Sequence, residues 1–168
     1  MPRSFEGDLD ARGLRFTIIA SRFNDDVVSG LLDGALECLT RHGADGDAVA
    51  VVRVPGAFEL PTVAAKLAGS CDAIIALGCL LRGDTPHFDF ISAQVTNELS
   101  RVAVDAKFPV AFGVITCNTY EQAVERSSPG TKNKGWEAAL AAIEMANLWR
   151  GFKADGRWPT ADGGRGEP

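Results

Sequence analysis

The sequence predicts an α/β protein in which a four-stranded parallel sheet carries helices on both faces. Three observations predict it. Four apolar, β-branched runs each end in turn chemistry, each is followed by apolar residues at helical spacing, and the runs are almost continuously apolar rather than alternating. Parallel neighbours need a crossover connection, so strict alternation of strand and helix reads as a parallel sheet. Near-continuous apolar strands fit a sheet covered on both sides.

The first strand is read over Arg15–Ala20 and leads into the polar turn Ser21-Arg22-Phe23-Asn24-Asp25. Val28, Leu31, Leu32, Ala35, Leu36 and Leu39 then recur at helical spacing, with Asn24 or Asp25 as N-cap and Arg41-His42-Gly43 as the end. The second strand, Ala48 to Val54, breaks at Pro55-Gly56, and a short helix is expected from about Glu59 to Leu67. The third, Ala73 to Leu81, opens into Arg82-Gly83-Asp84-Thr85-Pro86-His87 before a helix over about Asp89–Ala106. Ile91, Val95, Leu99 and Val102 form the inner face of that helix. The fourth, Val110 to Thr116, precedes a helix at about 119–127, and a Gly- and Pro-containing loop leads to a last helix at about 136–150.

Length and composition set limits on function. The chain has 168 residues, 46% of them hydrophobic, with 17 Lys and Arg against 22 Asp and Glu, hence a net charge of −5. That length suits one domain able to bury a core, and an acidic balance provides no broad basic surface for nucleic acid. The apolar runs are only strand-length, too short to span a membrane. The charged start, Met1 to Asp8, has no apolar core of a secretory signal, so a cytoplasmic location is expected. Cys38, Cys71, Cys79 and Cys117 form no CxxC pair and no cluster with histidine, which argues against structural zinc and a disulfide framework. The organisation expected is an N-terminal extension at 1–12, a domain at 13–150, and a flexible tail at 151–168 that holds five Gly and two Pro.

Ligands of open α/β sheets bind beyond the carboxyl ends of the strands, so the segments after the strands carry the candidate residues. Phe23 stands in an otherwise polar turn, either tucked under a neighbour or free to stack on a flat heterocycle. Gly56-Ala57-Phe58-Glu59 puts small residues and a carboxylate at a helix start, where Glu59 complements the helix dipole or accepts from ligand hydroxyls. His87, one of two histidines, follows the third strand, and imidazole is the side chain suited to proton transfer near neutrality. His42 instead closes a helix, where a cation is favourable. Arg126, Lys132 and Lys134 bracket a loop with Ser127, Ser128, Gly130 and Thr131, which suits a phosphate or is simply a solvated loop. The spacing is not that of a Walker loop, no GxGxxG follows the first strand, and no metal-ligand cluster is present in the sequence.

In order along residues 13–150, several blocks resemble one enzyme family. They are Ser21-Arg22-Phe23-Asn24, Val54 to Pro61 (VPGAFELP), Gly78 to Asp89 (GCLLRGDTPHFD), Glu121 to Arg126, Asn133-Lys134-Gly135 and Ala142 to Leu148. Together they are similar to the 6,7-dimethyl-8-ribityllumazine synthases, which make the penultimate intermediate of riboflavin biosynthesis. The resemblance implies a three-layer αβα sandwich, flavodoxin-like in topology. The implied reaction condenses 5-amino-6-(D-ribitylamino)uracil with 3,4-dihydroxy-2-butanone 4-phosphate, without metal, redox cofactor or covalent nucleophile. Carried over by position, Phe23 stacks on the pyrimidine, and Ala57, Phe58 and Glu59 line the ribityl and uracil side. Cys79, Leu80 and Leu81 contribute largely through backbone, while Asp84, Thr85, Arg126 and Lys134 serve the phosphate. Phe112, which read alone is a core residue, borders the ring from a neighbouring subunit, and His87 moves protons with Asp89 as an orienting partner.

The resemblance also implies a homopentamer with active sites at subunit interfaces, in some members built up into a sixty-subunit shell, and a functional link to riboflavin synthase. The loop Ser127-Ser128-Pro129-Gly130-Thr131-Lys132 departs from the Gly-Thr-Lys-Ala-Gly run of shell-forming relatives. Two other readings stay open at this point. One is a small pentameric riboflavin synthase acting on two lumazines, which would not need Arg126. The other is a non-catalytic flavin or lumazine binder, free to lose both His87 and Arg126.

Overall fold

The computed structural model describes residues 1–2 and 4–154. Strands β1 (Phe16–Ser21), β2 (Val49–Val54), β3 (Ala73–Leu81) and β4 (Val110–Cys117) form one sheet in the order β2-β1-β3-β4, with every neighbouring pair parallel. Between and after them run α1 (Asp25–Arg41), α2 (Leu60–Leu67), α3 (His87–Ala106), α4 (Tyr120–Ser127) and α5 (Lys134–Ala154). The predicted class holds, a four-stranded parallel sheet flanked by helices.

Alternation along the strands divides the core in two. Ala73, Ile75, Leu77 and Cys79 of β3 join Phe16, Ile18 and Ala20 of β1 in the cluster that α1 and α5 cover. Ile74 and Ala76, with Ile19, Val54 and Val114, face the opposite way under Leu60 and Ala64 of α2 and Val95 and Leu99 of α3. The central strand β1 is buried throughout, whereas the edges are not: Ala50 and Val51 of β2 and Phe112 and Thr116 of β4 are exposed. The apolar runs predicted double coverage for all four strands; the helices among the described residues leave parts of both outer strands uncovered.

Three boundaries differ from expectation in ways that matter. Helix α3 begins at His87, after Pro86 in the N-cap position, rather than at Asp89. Proline supplies a fixed φ that prepares the first turn, so the helix starts as soon as the ring has been passed. Helix α5 runs from Lys134 to Ala154, so residues 151–154 continue the helix instead of beginning the expected tail. The remainder of that expected tail, 155–168, lies outside the described residues.

The early start of α5 has a packing reason. Asn133 is buried, and its amide nitrogen donates to the carbonyls of Gly30 (2.9 Å), Ser127 (2.9 Å) and Ser128 (3.1 Å). Its amide oxygen accepts from the N–H groups of Gly135 (2.7 Å) and Trp136 (3.2 Å), so one side chain caps α5 and fixes the preceding loop to α1. Gly135 sits so close to α1 that a Cβ there would lie 1.8 Å from the Leu31 carbonyl oxygen. The N-terminal segment is also tied down: Asn147 donates to the carbonyls of Asp8 (2.7 Å) and Asp10 (2.8 Å), and Ala11 is fully buried.

Candidate active site

In the order β2-β1-β3-β4 the chain leaves β1 for α1 on one face and leaves β3 for α3 on the other. The two connections diverge and open a crevice at the carboxyl ends of β1 and β3, the topological switch point of such sheets. A cleft of about 530 Å³ lies there. Eight of the residues predicted from sequence line it: Phe23, Ala57, Phe58, Cys79, Leu80, Leu81, Thr85 and His87. Asn24, Gly56, Gly83, Phe88 and Ile91 complete it.

The turn after β1 is held by backbone and by one side chain. The N–H groups of Arg22 and Phe23 donate to the carbonyls of Val54 (2.8 Å) and Pro55 (3.0 Å), which brings Phe23 beside the Gly56–Phe58 segment. Asn24 adopts the left-handed conformation (φ 58°, ψ 48°), which asparagine tolerates better than most residues. It occupies the N-cap position of α1, one of the two residues expected there, but its side chain makes no capping bond; its amide nitrogen donates to the Cys79 carbonyl, 3.0 Å away, and joins the turn to β3. Phe23 and Phe58 remain 70% and 61% exposed, two aromatic faces at the mouth of the cleft.

Glu59 is not in the lining. Its carboxylate accepts from the Gly56 N–H at 2.9 Å, the helix-start role that the sequence left open beside a ligand contact. The thiol of Cys79 is buried, and burial pushes its pKa up to about 12, so it stays protonated near neutrality. The loop between β3 and α3 offers backbone instead of charge. The N–H groups of Gly83, Asp84 and Thr85 donate to no described residue, which leaves them available to an anion. Asp84 is exposed and, unlike Gly83 and Thr85 on either side of it, does not line the cleft. Asp89, expected as the partner of His87, pairs with Arg82 at 3.2 Å.

The remaining predicted residues lie elsewhere. Phe112, Arg126 and Lys134 line a second cleft of about 390 Å³ along the open edge of β4, between that strand and α4 and α5. Arg126 Nη1 donates to the Gln122 carbonyl (3.1 Å), and Lys134 Nζ pairs with Glu137 (2.7 Å). Within one chain, therefore, the cations do not share the cleft of Thr85 and His87. Among the described residues no lysine or arginine lines the first cleft, whereas Arg126 and Lys134 line the second. Sequence reading missed Asn24 as a tie to β3 and Arg82 as the partner of Asp89; the polar turn after β1 was the only available signal for the first. Among the described residues no helix is long and apolar enough to cross a membrane.

Comparisons with known proteins show the family. The family model described as 6,7-dimethyl-8-ribityllumazine synthase matches residues 13–150. The chain is 53% identical over 152 residues to the 6,7-dimethyl-8-ribityllumazine synthase of Chlorobium phaeobacteroides, an alignment that covers 89% of this chain and 98% of that protein. The corresponding enzyme of Syntrophus aciditrophicus is 53% identical over 89% of this chain and 99% of its own length, and that of Aquifex aeolicus is 50% identical over 89% and 98%. Matching over nearly the full length of these relatives, the chain belongs to the 6,7-dimethyl-8-ribityllumazine synthase family.

Proposed function

We propose that this lumazine synthase carries out its reaction in a site closed between two copies of the chain, the cleft at β1 and β3 of one meeting the β4-edge cleft of the next. The observation that carries the proposal is the separation of chemistry on a single chain. The aromatic cleft with His87 has no cation in its lining, and the cations Arg126 and Lys134 line a different cleft. A phosphorylated substrate needs both, and a head-to-tail contact brings them together.

The enzyme condenses 5-amino-6-(D-ribitylamino)uracil with 3,4-dihydroxy-2-butanone 4-phosphate in the penultimate step of riboflavin biosynthesis. The 5-amino group attacks the ketone and loses one water as the imine forms. Phosphate then leaves, the intermediate tautomerises, and the 6-ribitylamino nitrogen closes the ring with loss of a second water. In this reading Phe23 stacks on the pyrimidine, Ala57 and Phe58 flank it, and Phe112 borders it from the neighbouring copy. Glu59, already engaged by Gly56, has a second carboxylate oxygen to offer a ribityl hydroxyl. Cys79, Leu80 and Leu81 form the floor, and the amides of Asp84 and Thr85 face the phosphate opposite Arg126, with Lys134 assisting. His87 moves the protons. Much of the acceleration then comes from holding two substrates in register.

Head-to-tail contacts that complete a rotation form a ring, and the proposed ring is a homopentamer, the assembly that the family resemblance implies. Exposed apolar surface supports an assembly: Phe90 and Val104 on the outer side of α3 are 72% and 70% exposed, and Phe112 on the edge strand is 46% exposed. The pentamer is the proposed catalytic unit. Residues 13–150 form the catalytic unit. The cytoplasm is the proposed location, where four free cysteines remain reduced, and riboflavin synthase is the functional partner that consumes the product.

Complementation tests the shared site. One variant combines Phe23→Ser with His87→Ala, and the other combines Arg126→Ala with Lys134→Ala. Dissociated and reassembled together, they should recover activity well above either alone, because about a quarter of random head-to-tail contacts join two intact halves. Activity equal to the average of the two separate variants would place the whole site within one chain and overturn the proposal.

A further inference from the structure

We infer that Arg82 is a positioning residue, a clasp that fixes the Gly83–Pro86 loop and thereby places both its free amides and His87. The inference rests on the site reading above and adds to it the element that holds the reacting loop in place.

The loop has little of its own to define its shape. Residues 82–87 are all exposed, and backbone hydrogen bonds occur only at its two ends. At the start, the Arg82 N–H donates to the Cys117 carbonyl at 2.9 Å; at the end, the Pro86 carbonyl accepts from Asp89 (3.1 Å) and Phe90 (3.4 Å). Between these points the amides of Gly83, Asp84 and Thr85 have no partner among the described residues. Gly83 adds backbone freedom, and a Cβ there would meet nothing within 4 Å. Such a segment samples many conformations unless something outside it closes the loop.

The Arg82 guanidinium supplies that closure from three directions. Its Nε donates to the side-chain oxygen of Asn118 at 2.9 Å, in the turn after β4. Its Nη1 donates to the Asp89 carboxylate at 3.2 Å, in the first turn of α3. Its plane lies over the Phe88 ring, 4.5 Å from the centroid. Asn118 is itself held, because its N–H donates to the Gln122 side chain at 2.9 Å. Arg82 precedes the loop while Phe88 and Asp89 follow it, so one planar group joins both ends and ties them to the neighbouring strand. An ammonium could make either polar contact but has no plane to stack and no fork to bridge two acceptors.

The consequence is kinetic. With the clasp intact, the loop that carries the three amides is held between the end of β3, the first turn of α3 and the turn after β4, and His87 is held with it. Without it, the loop must be ordered by the substrate, and the phosphorylated substrate bears that cost because it is the one the loop amides contact. Arg82→Ala should therefore raise KM for the phosphorylated four-carbon substrate and lower kcat, a combined loss of about 10- to 100-fold. KM for the pyrimidine, held by Phe23 and Phe58, should change less than twofold. Asn118→Ala and Asp89→Ala, each removing one arm, should show the same split with smaller losses. Combining either with Arg82→Ala should add almost nothing.

The experiment is steady-state kinetics of these variants in the full-length assembled enzyme, with thermal melting to confirm folding and His87→Ala and Arg126→Ala run alongside. Asn118→Ala removes a single exposed acceptor and serves where Arg82→Ala melts early. Wild-type parameters in Arg82→Ala overturn the inference while leaving the site reading standing, provided His87→Ala and Arg126→Ala are impaired. Losses that multiply when Arg82→Ala is combined with Asp89→Ala or Asn118→Ala also overturn it, since Arg82 would then act independently of its clasp partners. Normal kinetics in both His87→Ala and Arg126→Ala overturn the site reading and this inference with it.

Discussion

In the proposed site His87 is the proton carrier and Arg126 the anion partner, and the two residues occupy different clefts of one chain. His87→Ala should slow turnover about 10-fold without abolishing it, because a positioned acid–base group is only part of the acceleration. Lumazine formation followed by fluorescence across pH checks this; unchanged turnover at every pH would remove His87 from the proton path. Arg126→Ala should weaken the phosphorylated substrate about 10-fold or more and the pyrimidine far less. Binding titrations that show equal weakening of both would refute the phosphate role. The thiols make a different prediction. Burial raises Cys38 to about 11 and Cys79 to about 12 from 9.0, and raises Cys117 as well. Between pH 9 and 12 the unfolded chain has lost thiol protons that the folded chain keeps, so the unfolded state binds fewer protons and stability falls as pH rises. Below pH 9 both states keep them and the contribution is constant. Urea midpoints measured from pH 8 to 11 should decline, and a smaller decline is expected in Cys79→Ala.

At the level of elements, the start of α5 shows how a buried polar side chain substitutes for regular structure. Asn133 satisfies three carbonyls and two N–H groups at the meeting of α1, α4 and α5. Asn133→Ala leaves those groups unpaired in a buried place and should cost about 2–4 kcal/mol, read from the urea midpoint at unchanged m-value. A loss under 0.5 kcal/mol would mean that water replaces the amide at little cost. The sequence predicted this helix to begin at 136, since Lys134-Gly135 carries a residue that weakens helices. The glycine is required for another reason, the close approach of Leu31 across the helix pair. A tertiary contact thus decided a boundary that local propensity placed two residues later. The opposite case is β3, where Ala73–Leu81 was read with both ends in place because nine apolar residues sit between clear turn signals.

At the scale of the molecule, the exposed edges of the sheet and the two separate clefts both suit the proposed assembly. Phe112 on β4 and Val51 on β2 are large apolar residues at sheet edges that the chain's own helices leave uncovered. Exposed strand edges invite a partner, and the proposed ring covers the β4 edge with the next copy's cleft. Light scattering should give a mass near five times 17.8 kDa. A monomer that retains full activity would separate catalysis from assembly and refute the shared site. Arg126→Ala should leave that mass unchanged, since Arg126 is proposed to meet a substrate rather than a subunit.

The sequence by itself determined the fold class, the four strands, the helices between them and most of the first cleft. Each of these depends on local information, namely apolar periodicity, turn residues and the position of loops after strands. Phe23, Ala57, Phe58, Cys79 and His87 were legible because every post-strand segment of a parallel sheet ends on one side. What only the tertiary structure decided are relations between distant segments. The Asn24 side chain reaches Cys79 instead of capping its own helix, and Arg82 clasps Asn118 and Asp89 across a loop. Above all, Arg126 and Lys134 occupy a cleft of their own, apart from Thr85 and His87. Spacing along a chain says which groups exist; distances of a few ångströms between segments far apart in sequence arise only when the helices pack and the strands take their order.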